Sequence, residues 1–357
     1  MTPPAALARG RGAHSNATGR YEAQVREAFD DGWTEDDPEV DQIVTTVQPE
    51  KARTIITRND SPDIGFDQSI NPYRGCEHGC IYCYARPAHA YMGLSPGLDF
   101  ETKLFFKPHA AELLERELSK PSYRPKIIHV GGNTDPYQPQ ERRLRVTRRV
   151  VEVLGRFNHP FSIITKSALI TRDLDVLGSM GRKNLVRAAV SVTTLDRRLA
   201  RSMEPRAATP ERRLDAIRQL SEAGVPTIVM FAPAIPGLND HEMEQVLERA
   251  RDAGAVGAGY VVLRLPREIK DLFGEWLEAE HPDRAARVLS LVRQMRGGKD
   301  YDADWGRRMR GQGPVADMIG QRFAIATRKL GITKRWEGLD LSQFRVPPKT
   351  GDQLALF

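Results

Sequence analysis

Five short apolar runs recur along the middle of the chain: Lys126–Val130 (KIIHV), Phe161–Thr165 (FSIIT), Arg187–Thr193 (RAAVSVT), Thr227–Ala232 (TIVMFA) and Ala258–Leu263 (AGYVVL). Each is rich in β-branched residues and nearly continuous, the pattern of strands covered on both faces. Gln68–Tyr73 supplies a sixth candidate strand ahead of a cysteine-containing loop. Between the runs the pattern turns helical. Thr209-Pro210 reads as an N-cap followed by an N1 proline, with Gly224 as the C′ glycine of the same helix. Asp240 and Gly254 bracket the next helix.

Six strand–helix units predict an α/β fold with a parallel sheet and right-handed crossovers. Six is two short of the closed eightfold form, so the expectation is a partial (β/α)6 barrel over residues 51–275. Residues 276–357 predict a helical C-terminal extension, with helices at 282–296 and 314–330, that packs on or caps the barrel. Residues 1–50 show little periodicity and an acidic cluster, which predicts a disordered, flexible N-terminal tail. Within it, Gly10-Arg11-Gly12-Ala13-His14-Ser15-Asn16 stands out as an alternative docking segment. Any active site belongs at the C-terminal ends of the strands. There lie Cys76–Cys83, Gly131–Asp135, Thr165–Ser167, Ser191–Thr194, Ala232–Gly237 and Arg264–Pro266.

Composition narrows the class. With 40% hydrophobic and 28% charged residues among 357, the chain is an ordinary globular one. The longest uncharged apolar stretch, Val225 to Leu238, is broken by three prolines. No stretch reaches the roughly 18 apolar residues of a membrane span. The opening MTPPAALARGRG lacks a signal-peptide core, so the expected location is cytoplasmic, without a membrane partner. Net charge is +6, but residues 1–50 carry four basic and ten acidic residues, leaving the remainder at +12. That excess suits either a polyanionic partner, such as a nucleic-acid substrate, or simply a basic enzyme.

The chain has three cysteines, all within eight residues: Cys76, Cys80 and Cys83. An odd, tight set excludes a disulfide framework and points to a metal. The spacing C-x3-C-x2-C allows three thiolates to hold three irons of a [4Fe–4S] cluster, leaving one iron open for a substrate or cosubstrate. The competing reading is a Cys3His zinc site completed by His78. His78, however, lies between two of the cysteines, and zinc ligands usually come as separated pairs.

The run NPYRGCEHGCIYCYAR, with an aromatic residue just before the third cysteine, resembles the radical S-adenosylmethionine (SAM) superfamily. Together with GGNTDPYQPQE after the second strand, it is similar to the spore photoproduct lyase-like branch over about residues 52–265. The N-terminal GRGAHSN…RYE resembles one uncharacterised bacterial subgroup of that branch, a likeness that extends over most of the chain. The resemblance implies that Cys76, Cys80 and Cys83 ligate a [4Fe–4S] cluster and that SAM is cleaved reductively to a 5′-deoxyadenosyl radical. A flavodoxin or ferredoxin would supply the electron. It further implies SAM contacts at Gly131 and Gly132, whose backbone approaches the methionine moiety. The family often has Glu next; here Asn133 stands there, leaving Thr134 or Asp135 to take the amino-group contact. Lys166 and Ser191 match SAM-contacting positions, Pro233–Gly237 resembles the adenine-lining segment, and Tyr82 would present backbone to the adenine.

The substrate is not specified by these residues. Arg142, Arg143, Arg145, Arg148 and Arg149 crowd the helix after the second strand, either as a solvated face or as phosphate contacts. Tyr84, Tyr91, Tyr137 and Trp305 are candidate base-stacking aromatics. The resembled lyase mechanism uses a further cysteine as hydrogen donor, and this chain has none to spare, which makes Tyr84 or Tyr137 the candidate substitute. The alternatives to a radical SAM enzyme of unknown substrate are a nucleic-acid repair or modification lyase, and a non-catalytic iron–sulfur or zinc protein.

Overall fold

The computed structural model of the chain describes residues 10–23, 25, 43–332 and 338–348. Among these described residues the strands are β1 Thr46–Pro49, β2 Ile56–Arg58, β3 Gln68–Ile70, β4 Tyr73–Arg74, β5 Lys103–Phe106, β6 Ile128–Val130, β7 Phe161–Thr165, β8 Val186–Ser191, β9 Thr227–Ala234 and β10 Gly257–Val262. The main sheet has the order β10-β9-β8-β7-β6-β3-β2. Neighbours from β3 to β10 are parallel, and β2 adds an antiparallel edge. The six parallel strands fall on the five apolar runs and on Gln68–Tyr73, joined by helical crossovers, as an α/β partial barrel requires.

Burial alternates along these strands more than continuous apolar runs suggest. In β7, Phe161, Ile163 and Thr165 are buried while Ser162 and Ile164 are half-buried. The buried set packs with Val150, Leu154, Leu177 and Met180 of the covering helices. The other face belongs to the inside of an unclosed sheet, which is why it keeps some access.

Local signals placed the helices well. Thr209 caps the helix Pro210–Glu222 by accepting from Arg212 N at 3.5 Å, and Gly224 follows at φ +84°. The C-terminal helices are Pro282–Gln294 and Pro314–Leu330. A further helix, Ile269–Glu280, straddles the position where the barrel was expected to end. The arginine-rich stretch is two helices, Glu141–Leu144 and Val146–Arg156, separated by Arg145 at φ 51°.

The expected flexible tail over 1–50 does not hold for its described parts. Residues 46–49 form β1, which pairs parallel with β5 in a second sheet of order β1-β5-β4. Arg11, Gly12 and Ala13 are buried against the cysteine loop. Composition misled because these contacts are backbone amides and charged side chains meeting distant partners, with no apolar periodicity to signal them. The acidic cluster Asp30 to Asp41 lies outside the described residues.

The C-terminal region spans the gap between the two sheet edges. Met309 O accepts from Val262 N at the β10 edge (3.0 Å). Near β2, Gly306 N donates to Asp63 Oδ1 at 2.6 Å, and Arg308 pairs with Asp63. Capping of the partial barrel is thus achieved by a short polar bridge rather than by the helices alone.

Candidate active site around the cysteine loop

The loop leaves β4 at the C-terminal mouth of the sheet. Gly75 turns it at φ +72°, where a Cβ would lie 2.8 Å from Phe100 O. Cys76 N then donates to Phe100 O (3.0 Å), Ile81 N to Met203 O (3.0 Å) and Cys83 N to Cys80 O (3.2 Å). All three cysteines are free; Cys76 and Cys80 are buried and Cys83 is half-buried. Burial pushes the Cys76 and Cys80 thiols up, with nearby Lys166 and Arg213 partly opposing this at Cys80. Thiols held this way need a compensating positive centre to become thiolates. Among the described residues, no three His, Cys, Asp or Glu side chains converge tightly enough for one metal ion.

Buried charge frames the loop on both sides. Glu77 N donates to Gln138 Oε1 (2.9 Å), and the Glu77 carboxylate accepts from Thr45 Oγ1 (2.7 Å), Gln140 Nε2 (2.9 Å) and Arg206 (2.8 Å). His78 Nδ1 stands 3.3 Å from Asp135 Oδ2. On the other side, fully buried Arg86 donates to the carbonyls of Gly79, Cys80, Pro96 and Gly97 and pairs with Glu101.

The expected strand-end residues gather here unequally. Gly131 adopts φ +97°, and a Cβ on it would sit 2.6 Å from Pro136, so the turn after β6 requires glycine. Gly132 O accepts from the Tyr84 hydroxyl, and Asn133 N donates to Asn71 Oδ1 (2.7 Å). Thr134 and Asp135 face inward to the protein. Thr134 Oγ1 donates to Gly75 O (2.8 Å). The Asp135 carboxylate accepts from Thr165 Oγ1 (2.7 Å), Lys166 N (2.8 Å) and Tyr137 N (2.9 Å). Burial would raise its pKa, but His78 and these donors outweigh it and hold the group at about 2. Asp135 is thereby a scaffold for the turn, already engaged on both oxygens.

Lys166 places its ammonium 5.5 Å from the Tyr82 ring centroid. The Tyr82 hydroxyl donates to Glu204, which is buried, ion-paired with Arg213 and bonded by Thr193 Oγ1 (2.9 Å). Burial raises the Glu204 pKa and Arg213 pulls it back. Ser191 is buried at the end of β8 beside this group, its carbonyl accepting from Arg213 (3.2 Å). Pro233 is buried near the end of β9, and Asn239 ties the segment by donating to Pro233 O (2.9 Å) and Thr193 O (2.7 Å).

On the substrate side the structure differs from several expectations. Tyr137 is no hydrogen donor at the mouth: it is fully buried in the core and bonded to Asp173 (3.0 Å). Tyr84, by contrast, is half exposed beside the loop, with the Arg264 guanidinium 5.5 Å from its ring. Arg148 is held by Asp175 and Glu152, so it belongs to an ion-paired face. Arg142, Arg143 and Arg145 are exposed. Sequence reasoning missed Arg86, Glu101, Glu204 and Arg213. Arg86 stands three residues after Cys83, which was the one available signal; Glu101, Glu204 and Arg213 lie outside the cysteine loop, and nothing in their local sequence marks them as its neighbours.

The profile of the Radical SAM superfamily matches residues 70–250, half of the chain. An uncharacterised protein of Mycobacterium tuberculosis is 37% identical over 231 residues, 64% of this chain and 68% of that protein. Among solved structures, spore photoproduct lyase complexed with dinucleoside spore photoproduct aligns at a TM-score of 0.56 and 13% identity, over 80% of this chain and 79% of that one. A spore photoproduct lyase variant with bound AdoMet and the same dinucleoside aligns at 0.53 and 14%, over 80% and 78%. At that identity the likeness concerns the fold.

Proposed function

The chain belongs to the radical SAM superfamily, whose members are enzymes, and from that premise we propose that Cys76, Cys80 and Cys83 hold a [4Fe–4S] cluster that opens SAM bound at the strand ends. Such a cluster, once reduced, supplies the electron that splits SAM into methionine and a 5′-deoxyadenosyl radical. The observation that carries the reading is one juxtaposition. Lys166, from the end of β7, lies against Tyr82 and close enough to Cys80 to favour its thiolate, so a distant strand end meets the cysteine loop.

The residues present fit the group. Three thiols on one loop leave one iron without a protein ligand, and no further cysteine exists in the chain to fill it. The donor set is three thiols, two of them buried, with His78 turned to Asp135 at 3.3 Å, which suits a thiolate-held iron–sulfur cluster. Gly131 and Gly132 bring backbone to the mouth, Lys166 offers a cation for the SAM carboxylate, and Ser191 and Pro233 line the far side. Asn133 is exposed at the same turn. Thr134 and Asp135, occupied within the protein, shape that turn; we assign the amino-group contact to backbone there instead.

Radical SAM enzymes need a reductant, and a flavodoxin or ferredoxin fits that role. No helix among the described residues is long and apolar enough to cross a membrane. The spore photoproduct lyase likeness makes a nucleic-acid substrate the second reading, supported by the basic excess after residue 50. Efficient repair of spore photoproduct is not expected, because no cysteine remains as hydrogen donor, Tyr137 is sealed in the core, and the O–H bond of Tyr84, the candidate left at the mouth, is stronger than a thiol S–H.

Anaerobic reconstitution tests the reading. About four irons and four sulfides per chain are expected, with 5′-deoxyadenosine formed on reduction with SAM. Stoichiometric zinc without labile sulfide ends it. Lys166→Ala is expected to weaken SAM binding by about 1.5–3 kcal/mol with the cluster retained; unchanged affinity would remove Lys166 from the SAM site.

A further inference from the structure

Residues 10–19 run as an extended strap across the outside of the cysteine loop, held on both flanks. On one flank Gly12 N and Ala13 N donate to the Glu101 carboxylate at 3.0 and 2.8 Å. Glu101 is fully buried and pairs with Arg86, whose remaining donors reach Gly79 O and Cys80 O inside the loop. On the other flank Arg11 donates to Glu101 O (3.2 Å), Ile43 O (2.7 Å) and Thr45 Oγ1 (2.8 Å), while Thr45 and Arg206 bind Glu77 next to Cys76. Arg206 also donates to Gly10 O (3.1 Å). Farther along, Asn16 exchanges bonds with Asp99, and Ser15 O accepts from Leu98 N (3.2 Å).

The fit leaves no room for a side chain at the crossing. A Cβ on Gly12 would lie 1.7 Å from Gly79 O, and a Cβ on Gly97 would lie 2.3 Å from Ser15 O. A solvated tail does not need such an approach; a fixed surface against the loop does.

We infer that the strap, acting through Glu101 and Arg86, is a brace that holds the cysteine loop in its cluster-binding shape and seals it, with Arg86 and Glu101 as positioning residues. The inference rests on the cluster assignment above. The mechanism is rigidity. Arg86 fixes the carbonyls of Gly79 and Cys80, so the peptide that aims the second thiol cannot rotate. The paired carboxylate keeps that guanidinium neutralised in the interior, and the strap amides complete the carboxylate's bonds. The same strap packs over Gly79 and keeps that part of the loop buried.

The test uses the full chain, anaerobically reconstituted, as wild type, Gly12→Ala, Arg86→Lys and a control, Gly65→Ala. Gly65 is exposed with open space around its Cβ position. Iron and sulfide content, the electron paramagnetic resonance spectrum of the reduced cluster and the lifetime of cluster absorbance in air are read, alongside circular dichroism. Expected are a wild-type control, and Gly12→Ala and Arg86→Lys chains that fold but lose the cluster in air about tenfold faster, with an altered spectrum. Wild-type content, spectrum and lifetime in the folded Gly12→Ala chain overturn the inference. Should Arg86→Lys unfold, Gly12→Ala decides alone, since it disturbs the contact between strap and loop while leaving the Arg86–Glu101 pair intact. A wild-type chain without labile sulfide refutes the cluster assignment instead, so the two failures are distinguishable.

Discussion

The sheet and the cysteine loop sit end to end and are held by opposite physics. Between β6 and β10 the contacts are apolar: Val130, Ile163, Val190, Val229 and Val262 are fully buried in one cluster with the covering helices. Around the loop the contacts are buried charge and carbonyls: Arg86 with Glu101, Glu77 with Arg206, Arg213 with Glu204, His78 with Asp135. Apolar packing is non-directional and tolerates small changes. A buried charge network is directional, and removing one member strands the rest. The molecule thus combines a forgiving frame with an unforgiving mouth, which suits a site whose ligands must be aimed.

The widest separation between the two regions is expected from Arg86→Met. It leaves the Glu101 carboxylate buried without its cation and frees four carbonyls, at a cost of about 3–5 kcal/mol. Denaturant unfolding of the apo-protein measures it. A loss under about 1 kcal/mol would mean that water reaches the pair and that the mouth is as tolerant as the frame.

Acid should act on the frame and on the flank of the loop together, since His89, packed beside Gly75, is held at about 4 by burial as well. His129 and His159 are held at about 4 by burial, His129 stacked on Phe66 and His159 bonded by Tyr123 (2.7 Å). Their ordinary value is 6.5, so between pH 6.5 and 4 the unfolded chain takes up protons that the native chain refuses. Stability is therefore full above that window and falls as pH drops through it, by up to about 1.4 kcal/mol per pH unit for each histidine. Asp135, held at about 2, keeps its charge throughout. Unfolding measured from pH 7 to 5 should show the slope, and His159→Gln should flatten it; an unchanged slope would move the acid sensitivity to the loop.

The same division explains what could be read from residues alone. Five of the six parallel strands were legible because each is an apolar run, and the helix at Pro210 because Thr209 and Gly224 obey rules that act within four residues. The cysteine loop was legible because its spacing is its chemistry. The brace was not: Gly12 and Glu101 are 89 positions apart, and nothing local marks either as a partner. β1 and β5 escaped for the same reason, since they pair across more than fifty residues through short, mixed segments. Tyr137 was misplaced because an aromatic near a strand end looks like a pocket residue until its hydroxyl is seen to meet Asp173.

The smallest effect is expected where the frame alone is touched. Ile163 is fully buried in the middle of β7, paired with Val130 on one side and Ala188 on the other. Ile163→Val removes one methylene group from a packed interior and leaves a void smaller than a water molecule, at a cost of about 1 kcal/mol. Its side chain meets the covering helices, away from the loop, and none of the hydrogen bonds that shape the cysteines involve it. Iron content, the reduced-cluster spectrum and SAM affinity should therefore stay at wild-type values while the unfolding midpoint falls slightly. A change in the spectrum with so small a loss of stability would show that sheet packing reaches through Thr165 and Asp135 to the loop, and that the frame helps to aim the ligands instead of merely carrying them.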